Sequence, residues 1–148
     1  MILILISTLL VFLWPRSFLG SVDEEIKSVS VEIIENTLEH ERTTYLFQIE
    51  DPEFHEIMDV LERYSYHIST GTISNRMKNT AQIEDNRAGY WLDIYLYTEP
   101  DCYGDCYSIL SGGTGELIFN SGVYRMGYWG NQTHLNFMSE ICRVVASN

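Results

Sequence analysis

Basic residues are scarce in this chain of 148 amino acids, in which nine Lys and Arg stand against 21 Asp and Glu for a formal net charge of −12. Proteins that bind nucleic acid use Lys and Arg to neutralise phosphates. We therefore expect no nucleic-acid partner. The surplus acid is concentrated between Asp23 and Glu62, where 13 carboxylates accompany only Lys27 and Arg42. This region is predicted to be a solvated acidic surface, with a landing surface for a cationic partner or divalent ions as the alternative.

The sequence also lacks the spacings that identify a reaction or a metal site. The four His residues show neither an HxH nor an HxxxH pattern, and the sequence places no base beside a Cys. Asp93 is a single carboxylate among aromatic residues, whereas glycoside hydrolases use two. We predict no catalytic residue, no metal and no cofactor. An undetected hydrolase stays as the alternative to a protein without enzymatic activity.

Cysteine is rare, with three residues in the chain. Cys102 and Cys106 lie in a loop that contains Pro100 and Gly104, between two predicted strands, where their side chains can meet. We predict a disulfide between them, which in an oxidising compartment would stabilise the fold by about 2 kcal/mol. A metal site is the alternative, although zinc sites usually show a CxxC spacing. Cys142 is predicted to be a buried thiol on a helix.

Charge is absent before Arg16, and most positions from Ile2 to Trp14 are Ile, Leu or Val. This run predicts an apolar N-terminal helix, which is a cleaved signal peptide, an uncleaved membrane anchor or a buried helix. No Lys or Arg precedes the run, and no A-x-A triplet follows it. We predict that residues 1–22 are a signal peptide or membrane anchor. Residues 23–148 would then form an extracytoplasmic domain, either secreted or anchored to the membrane.

Linkers rich in Pro, Gly or Ser and internal repeats are absent after Val22, which predicts a single domain for residues 23–148. Alternating apolar positions, with Gly and Asn at some of the turns between them, predict strands. These lie near Val29–Ile33, Tyr45–Ile49, Tyr66–Ile73, Tyr90–Tyr97, Cys106–Leu110, Glu116–Asn120 and Val123–Trp129. The polar stretch Asn75–Asn86 is predicted to be a loop.

Two stretches show the spacing of an amphipathic helix. Asp51 in the N-cap position and Pro52 at the first helical position predict a helix from Pro52 to about Tyr64. A second helix follows the last strand, and its apolar stripe comprises Leu135, Met138, Cys142 and Val145. The predicted fold class is α+β, an antiparallel β-meander flanked by two helices and preceded by the apolar N-terminal helix.

Aromatic residues are concentrated on neighbouring predicted strands. On the outward side of the strand that starts at Tyr90, we predict a ligand-binding face formed by Trp91, Asp93, Tyr95 and Tyr97. The same aromatic surface would include residues of the following strands, namely Tyr107, Tyr124, Tyr128 and Trp129. The alternative is a second core that packs under a helix.

These features favour binding rather than catalysis. We predict a small acidic binding or accessory domain, exported or tethered to the membrane through its N-terminal segment, with a protein or a small molecule as ligand. The alternative is an inhibitor or immunity-type protein, whose acidic first half neutralises a cationic protein partner. Salt separates the two, since binding that depends on long-range charge weakens steeply with ionic strength.

Overall fold

The main body of the protein is an antiparallel sheet. The computed structural model describes residues 10–35, 41–73, 90–112 and 114–147. Its strands, in chain order, are β1 (Arg16–Ser17), β2 (Ser28–Glu35), β3 (Arg42–Gln48), β4 (Ser65–Tyr66), β5 (Tyr90–Glu99), β6 (Tyr103–Ser111), β7 (Glu116–Phe119) and β8 (Gly122–Arg125). Strands β1 and β4 pair with each other, and the other six form one sheet in the order β3-β2-β5-β6-β7-β8. The long strands β2, β5 and β6 are therefore interior.

One face of this sheet carries the core, because apolar side chains alternate along each central strand. On β5, Leu92, Ile94 and Leu96 are fully buried. Val31 of β2 lies opposite Ile94 on one side, and Ile109 of β6 lies opposite it on the other. Rows of apolar side chains therefore cross the sheet and form the surface on which the helices pack.

Two helices, α1 (Pro52–Arg63) and α2 (Gln132–Ala146), pack on this face and against each other. At their contact, the Tyr64 hydroxyl donates a hydrogen bond to a Glu140 oxygen (2.6 Å), and Arg63 forms an ion pair with the same carboxylate (2.8 Å). Burial, together with the Glu140 carboxylate, raises the pKa of Tyr64 to about 12. The hydroxyl therefore stays protonated and remains a hydrogen-bond donor at neutral pH.

Helix α1 follows its sequence signals closely, with Pro52 in its first turn and Phe54 and Leu61 buried. The Asp51 side chain does not cap the helix but accepts a hydrogen bond from the Gln48 N–H (2.7 Å). It thereby fixes the turn between β3 and α1. The buried stripe of α2 comprises His134, Phe137, Met138, Ile141, Val144 and Val145. Leu135 and Cys142, predicted to lie on this stripe, are only half-buried at its margin.

The predicted α+β fold with an antiparallel sheet is confirmed. Strands β5 to β8 follow one another as a meander, and the β2–β3 hairpin joins this meander along β5. The sheet is therefore assembled from two pieces that α1 and β4 separate in the chain.

Two predicted strands are wrong in their extent. The strand expected at Tyr66–Ile73 is reduced to β4, since residues 70–73 are helical and the Ser69 hydroxyl accepts a hydrogen bond from the Thr72 N–H (3.2 Å), as an N-cap does. The strand expected at Val123–Trp129 ends at Arg125, because glycines with left-handed φ angles follow. The loop predicted at Asn75–Asn86 lies outside the described residues.

The N-terminal segment contributes to the core. Residues 10–13 are helical, β1 pairs with β4, and Phe18 is fully buried. The Phe18 ring lies 4.9 Å from Tyr66, 5.5 Å from Phe119 and 5.9 Å from Phe137, measured between ring centroids. Phe18 therefore packs within the domain, although it belongs to the residues 1–22 assigned to membrane targeting. In the part of the chain that the structure describes, no helix is long and apolar enough to cross a membrane.

Candidate functional site

The sheet has a second face, opposite helices α1 and α2, which we call the open face. Trp91, Asp93, Tyr95 and Tyr97 alternate along β5 with the core residues and therefore share this face. All four are half-buried. The structure thus brings the four predicted binding residues together on one side of one strand, while their role as ligand contacts stays a prediction.

A second carboxylate lies beside Asp93 on the open face. Glu32 of β2 is directly opposite Asp93 in the β2–β5 ladder, a position at which cross-strand side chains interact. The Glu32 side chain is 17% exposed, and Arg42 of β3 forms an ion pair with it (Nη1 to Oε2, 3.2 Å). Burial, and then the charge of Glu32, raise the pKa of Asp93 to about 6, while Arg42 acts in the opposite direction. We call Glu32 and Asp93 the carboxylate pair.

The sequence did not predict the carboxylate pair, because the proximity of its members depends on pairing between strands that are distant in the chain. Two acids placed side by side stabilise a shared proton or a cation next to them. Among the described residues, no three His, Cys, Asp or Glu side chains are placed to hold a metal ion. The carboxylate pair can accept hydrogen bonds from a positively charged group.

Aromatic rings occupy the positions around the carboxylate pair. Trp91 and Tyr95 stand on either side of Asp93 along β5, and Tyr97 lies one step further. Burial raises the pKa of Tyr95, and it raises that of Tyr97 to about 12, so both hydroxyls are neutral at physiological pH. Negative charge and aromatic faces together are the combination that recognises ammonium and guanidinium groups.

The two cysteines of the predicted disulfide lie at the end of the open face, Cys102 in the short turn after β5 and Cys106 on strand β6 rather than in a loop. Cys106 is directly opposite Tyr97 in the β5–β6 ladder. Cys102 and Cys106 are free thiols in the structure, and burial raises the pKa of both. Thiols in this state are protonated and weakly nucleophilic. The structure thus contains no bond between these two cysteines, and the disulfide expected in an oxidising compartment stays a prediction.

We expect Cys102→Ser to lower the free energy of unfolding by about 2 kcal/mol under oxidising conditions, because the ring closed by the disulfide would be lost. Urea denaturation of the variant and of the unchanged protein, each with and without reductant, measures this effect. The difference between the two proteins should shrink when reductant is added. A difference that is the same in both buffers would show that Cys102 acts as a thiol.

A buried imidazole and a buried hydroxyl meet on the core side of the sheet. His134 of α2 contacts the Ser111 hydroxyl, and its Nδ1 accepts a hydrogen bond from the Gly115 N–H (3.0 Å). Since Nδ1 is an acceptor, Nε2 carries the hydrogen and donates it to Ser111. Burial lowers the pKa of His134 to about 4. This tautomer does not activate the serine as a nucleophile, and the pair instead fastens α2 to the turn after β6.

The predicted aromatic surface is divided among three places. Tyr107 and Tyr124 pack against the core under the helices, whereas Trp91 belongs to the open face. Tyr128 and Trp129 lie in the bend after β8, and they are 49% and 91% exposed. Burial against the core, the alternative to a binding surface, therefore applies to Tyr107 and Tyr124 and not to Trp91, Tyr128 or Trp129.

No protein-family model, curated protein or solved structure matches this chain. The open face, the exposed bend after β8 and the N-terminal segment are therefore the features from which its function is inferred.

Proposed function

We propose that this protein is an extracytoplasmic, membrane-tethered binding module, whose open face binds a positively charged side chain of a protein partner. The carboxylate pair supports this proposal most directly. Glu32 and Asp93 lie opposite each other, both are half-buried, and aromatic residues stand on either side of Asp93.

Partial burial strengthens recognition of charge at this site, because a charged hydrogen bond screened from water is stronger than an exposed one. The pKa of Asp93, raised to about 6, means that this carboxyl loses its proton close to neutral pH. A cation beside it would favour the ionised form and gain from it. Trp91 and Tyr95 supply rings for a cation–π contact.

The packing of the N-terminal segment supports a membrane tether that is not removed by cleavage. The apolar run that ends at Trp14 leads within a few residues to Phe18, whose ring fills the core. Cleavage next to the small residues Gly20 and Ser21 would remove this ring and leave a cavity. Mass spectrometry of the protein in the membrane fraction tests the tether. An intact amino terminus supports it, and a terminus after Gly20 contradicts it.

Asp93→Asn is expected to weaken binding of a tetralysine peptide by about tenfold, since it removes one charged contact to the ammonium group. The double variant Trp91→Ala, Tyr95→Ala is expected to weaken it as well, through loss of the ring faces. NMR titration of each full-length variant with the peptide measures the affinity.

The matched control is Glu56→Gln, which removes one negative charge from an exposed position on α1. It should change the affinity by no more than about twofold, because exposed charges act weakly at physiological salt. Equal losses for Asp93→Asn and Glu56→Gln would contradict binding at the open face.

That outcome would favour the alternative function, in which this protein is an inhibitor or immunity-type protein and its acidic first half neutralises a cationic protein partner. A second acidic surface supports this alternative, because Asp23, Glu24 and Glu25 are exposed, as are Glu56 and Glu62 of α1. Binding through this surface should weaken steeply between low and physiological ionic strength. Binding at the half-buried carboxylate pair should depend on salt much less.

A further inference from the structure

Trp129 is 91% exposed, which is unusual for an indole side chain in a folded domain. Other large apolar side chains lie open nearby or on the N-terminal segment that meets it. We call the six together the aromatic patch, and its members are Leu10, Val11, Leu13, Trp14, Tyr128 and Trp129. Every member except Trp129 is 45% to 66% exposed. A cluster of this composition indicates an interaction surface rather than scattered surface residues.

The bend that carries Trp129 is held firmly in place. Gly127 and Gly130 adopt left-handed φ angles of 72° and 64° on either side of Tyr128 and Trp129. Arg125 Nη2 donates a hydrogen bond to the Gly130 carbonyl (2.8 Å), and His67 Nε2 lies 2.9 Å from the Gly127 carbonyl. The His67 ring also stacks on Tyr128, with centroids 4.7 Å apart. The patch therefore loses little conformational entropy when it binds.

The same bend is joined to the N-terminal segment. The Tyr128 hydroxyl donates a hydrogen bond to the Leu13 carbonyl (2.7 Å). Leu13 belongs to the apolar run, which carries no charge before Arg16. Arg16 in turn lines a shallow pocket together with Leu10, Val11 and Trp14. The apolar run therefore reaches the domain at the aromatic patch.

We infer that the aromatic patch is a membrane-contact surface, which rests on the bilayer–water interface and fixes the orientation of the domain. Trp and Tyr prefer this interface, where the ring is apolar and its polar atom stays hydrated. Arg16 lines the same pocket as Leu10, Val11 and Trp14, and an arginine beside apolar residues at this interface can donate hydrogen bonds to lipid phosphates. The net charge of −12 excludes attraction to anionic lipid. The partner is therefore the interface of a zwitterionic bilayer, approached through apolar and aromatic contact.

This inference rests on the membrane tether of the proposed function, and the experiment separates the two. The full-length chain is reconstituted in phosphatidylcholine vesicles, and flotation shows whether it is bound. The emission of its three tryptophans is then quenched with phosphatidylcholine brominated near the carbonyl end of the acyl chain. Three variants, Trp14→Phe, Trp91→Phe and Trp129→Phe, each remove one of these tryptophans.

The expected result is that the share of emission quenched by brominated lipid falls in Trp129→Phe and in Trp14→Phe. It should rise in Trp91→Phe, the matched control, since Trp91 lies on the open face. Because Trp129 is nearly fully exposed, its replacement should leave the fold intact, which circular dichroism verifies. The emission lost in Trp129→Phe should also lie to the blue of emission from a tryptophan in water.

Three results would overturn the inference. A bound chain whose quenched share is unchanged by Trp129→Phe would show that the patch does not meet lipid. Emission from Trp129 that is protected from acrylamide but insensitive to brominated lipid would show that a second copy of the chain covers the patch. A chain that does not float with vesicles would remove the tether and the membrane contact together.

Discussion

Replacing Phe18 with alanine is expected to lower the free energy of unfolding by about 4 kcal/mol. The ring is fully buried, and its centroid lies within 6 Å of those of three other aromatic rings. Its removal therefore leaves a buried cavity between the strands and the helix. Urea denaturation of the full-length chain, followed by tryptophan fluorescence, measures the loss.

The control for this substitution is Leu13→Ala, in the same segment. Leu13 is 45% exposed, and it contacts the domain through its carbonyl oxygen, which the substitution keeps. Its effect should stay within about 0.5 kcal/mol. A loss below about 1 kcal/mol for Phe18→Ala would show that the segment is held loosely, and it would weaken the case for a retained N-terminus.

The second large effect is a pair of opposite pH dependences. The folded protein holds the pKa of His134 at about 4 and that of Asp93 at about 6, against ordinary values of 6.5 and 3.8. His134 therefore stabilises the fold fully above pH 6.5, and this contribution is lost as the pH falls towards 4. Asp93 acts in the other direction, since its contribution is complete below pH 3.8 and is lost as the pH rises through 6.

The expected size of these terms follows from the shifts. The term for fully buried His134 amounts to about 3 kcal/mol, and that for Asp93 to about 1–2 kcal/mol, because partial exposure of this carboxyl screens it. In the unchanged protein the two terms cancel in part between pH 4 and 6.5, and the larger His134 term leaves a stability that rises with pH. In Asp93→Asn only the His134 contribution remains, so the free energy of unfolding should rise with pH between 4 and 6.5. In His134→Gln only the Asp93 contribution remains, so the free energy of unfolding should fall as the pH rises from 4 to 6.5.

Denaturation curves at a series of pH values measure both variants against the unchanged protein. Contributions that are common to all three proteins drop out of the comparison. Parallel stability curves for Asp93→Asn and the unchanged protein would contradict the raised pKa of Asp93. Parallel curves for His134→Gln would contradict the buried neutral imidazole.

Local signals predicted those parts of the fold that local interactions determine. Asp51 and Pro52 indicated the start of α1, and the alternation from Tyr90 to Tyr97 indicated β5 together with the side of it that carries the candidate site. The glycines after β8 could also have been used, since Gly127 and Gly130 break a strand whose apolar pattern continues. The strand predicted at Tyr66–Ile73 failed because Ser69 forms a local hydrogen bond that competes with pairing.

The remaining features depend on contacts between distant parts of the chain. Glu32 becomes a neighbour of Asp93 only through the register of β2 on β5, which no nearby residue reveals. His134 looks like a polar interruption of the α2 stripe until Ser111 and Gly115 satisfy its ring. Phe18 resembles the apolar run before it, and only its three aromatic neighbours show that it belongs to the core.

The order of strands in the sheet has a consequence for how the chain folds. Strands β2 and β5 are neighbours in the sheet but distant in the chain, and they pair Val31 with Ile94. The long segment between them must therefore close before this pairing gains any energy. During synthesis, β2 can pair with β3 at once, but its second partner β5 becomes available only later. Folding should therefore be slow for a domain of this size, and nucleation is expected in the local meander from β5 to β8, onto which the earlier hairpin then docks.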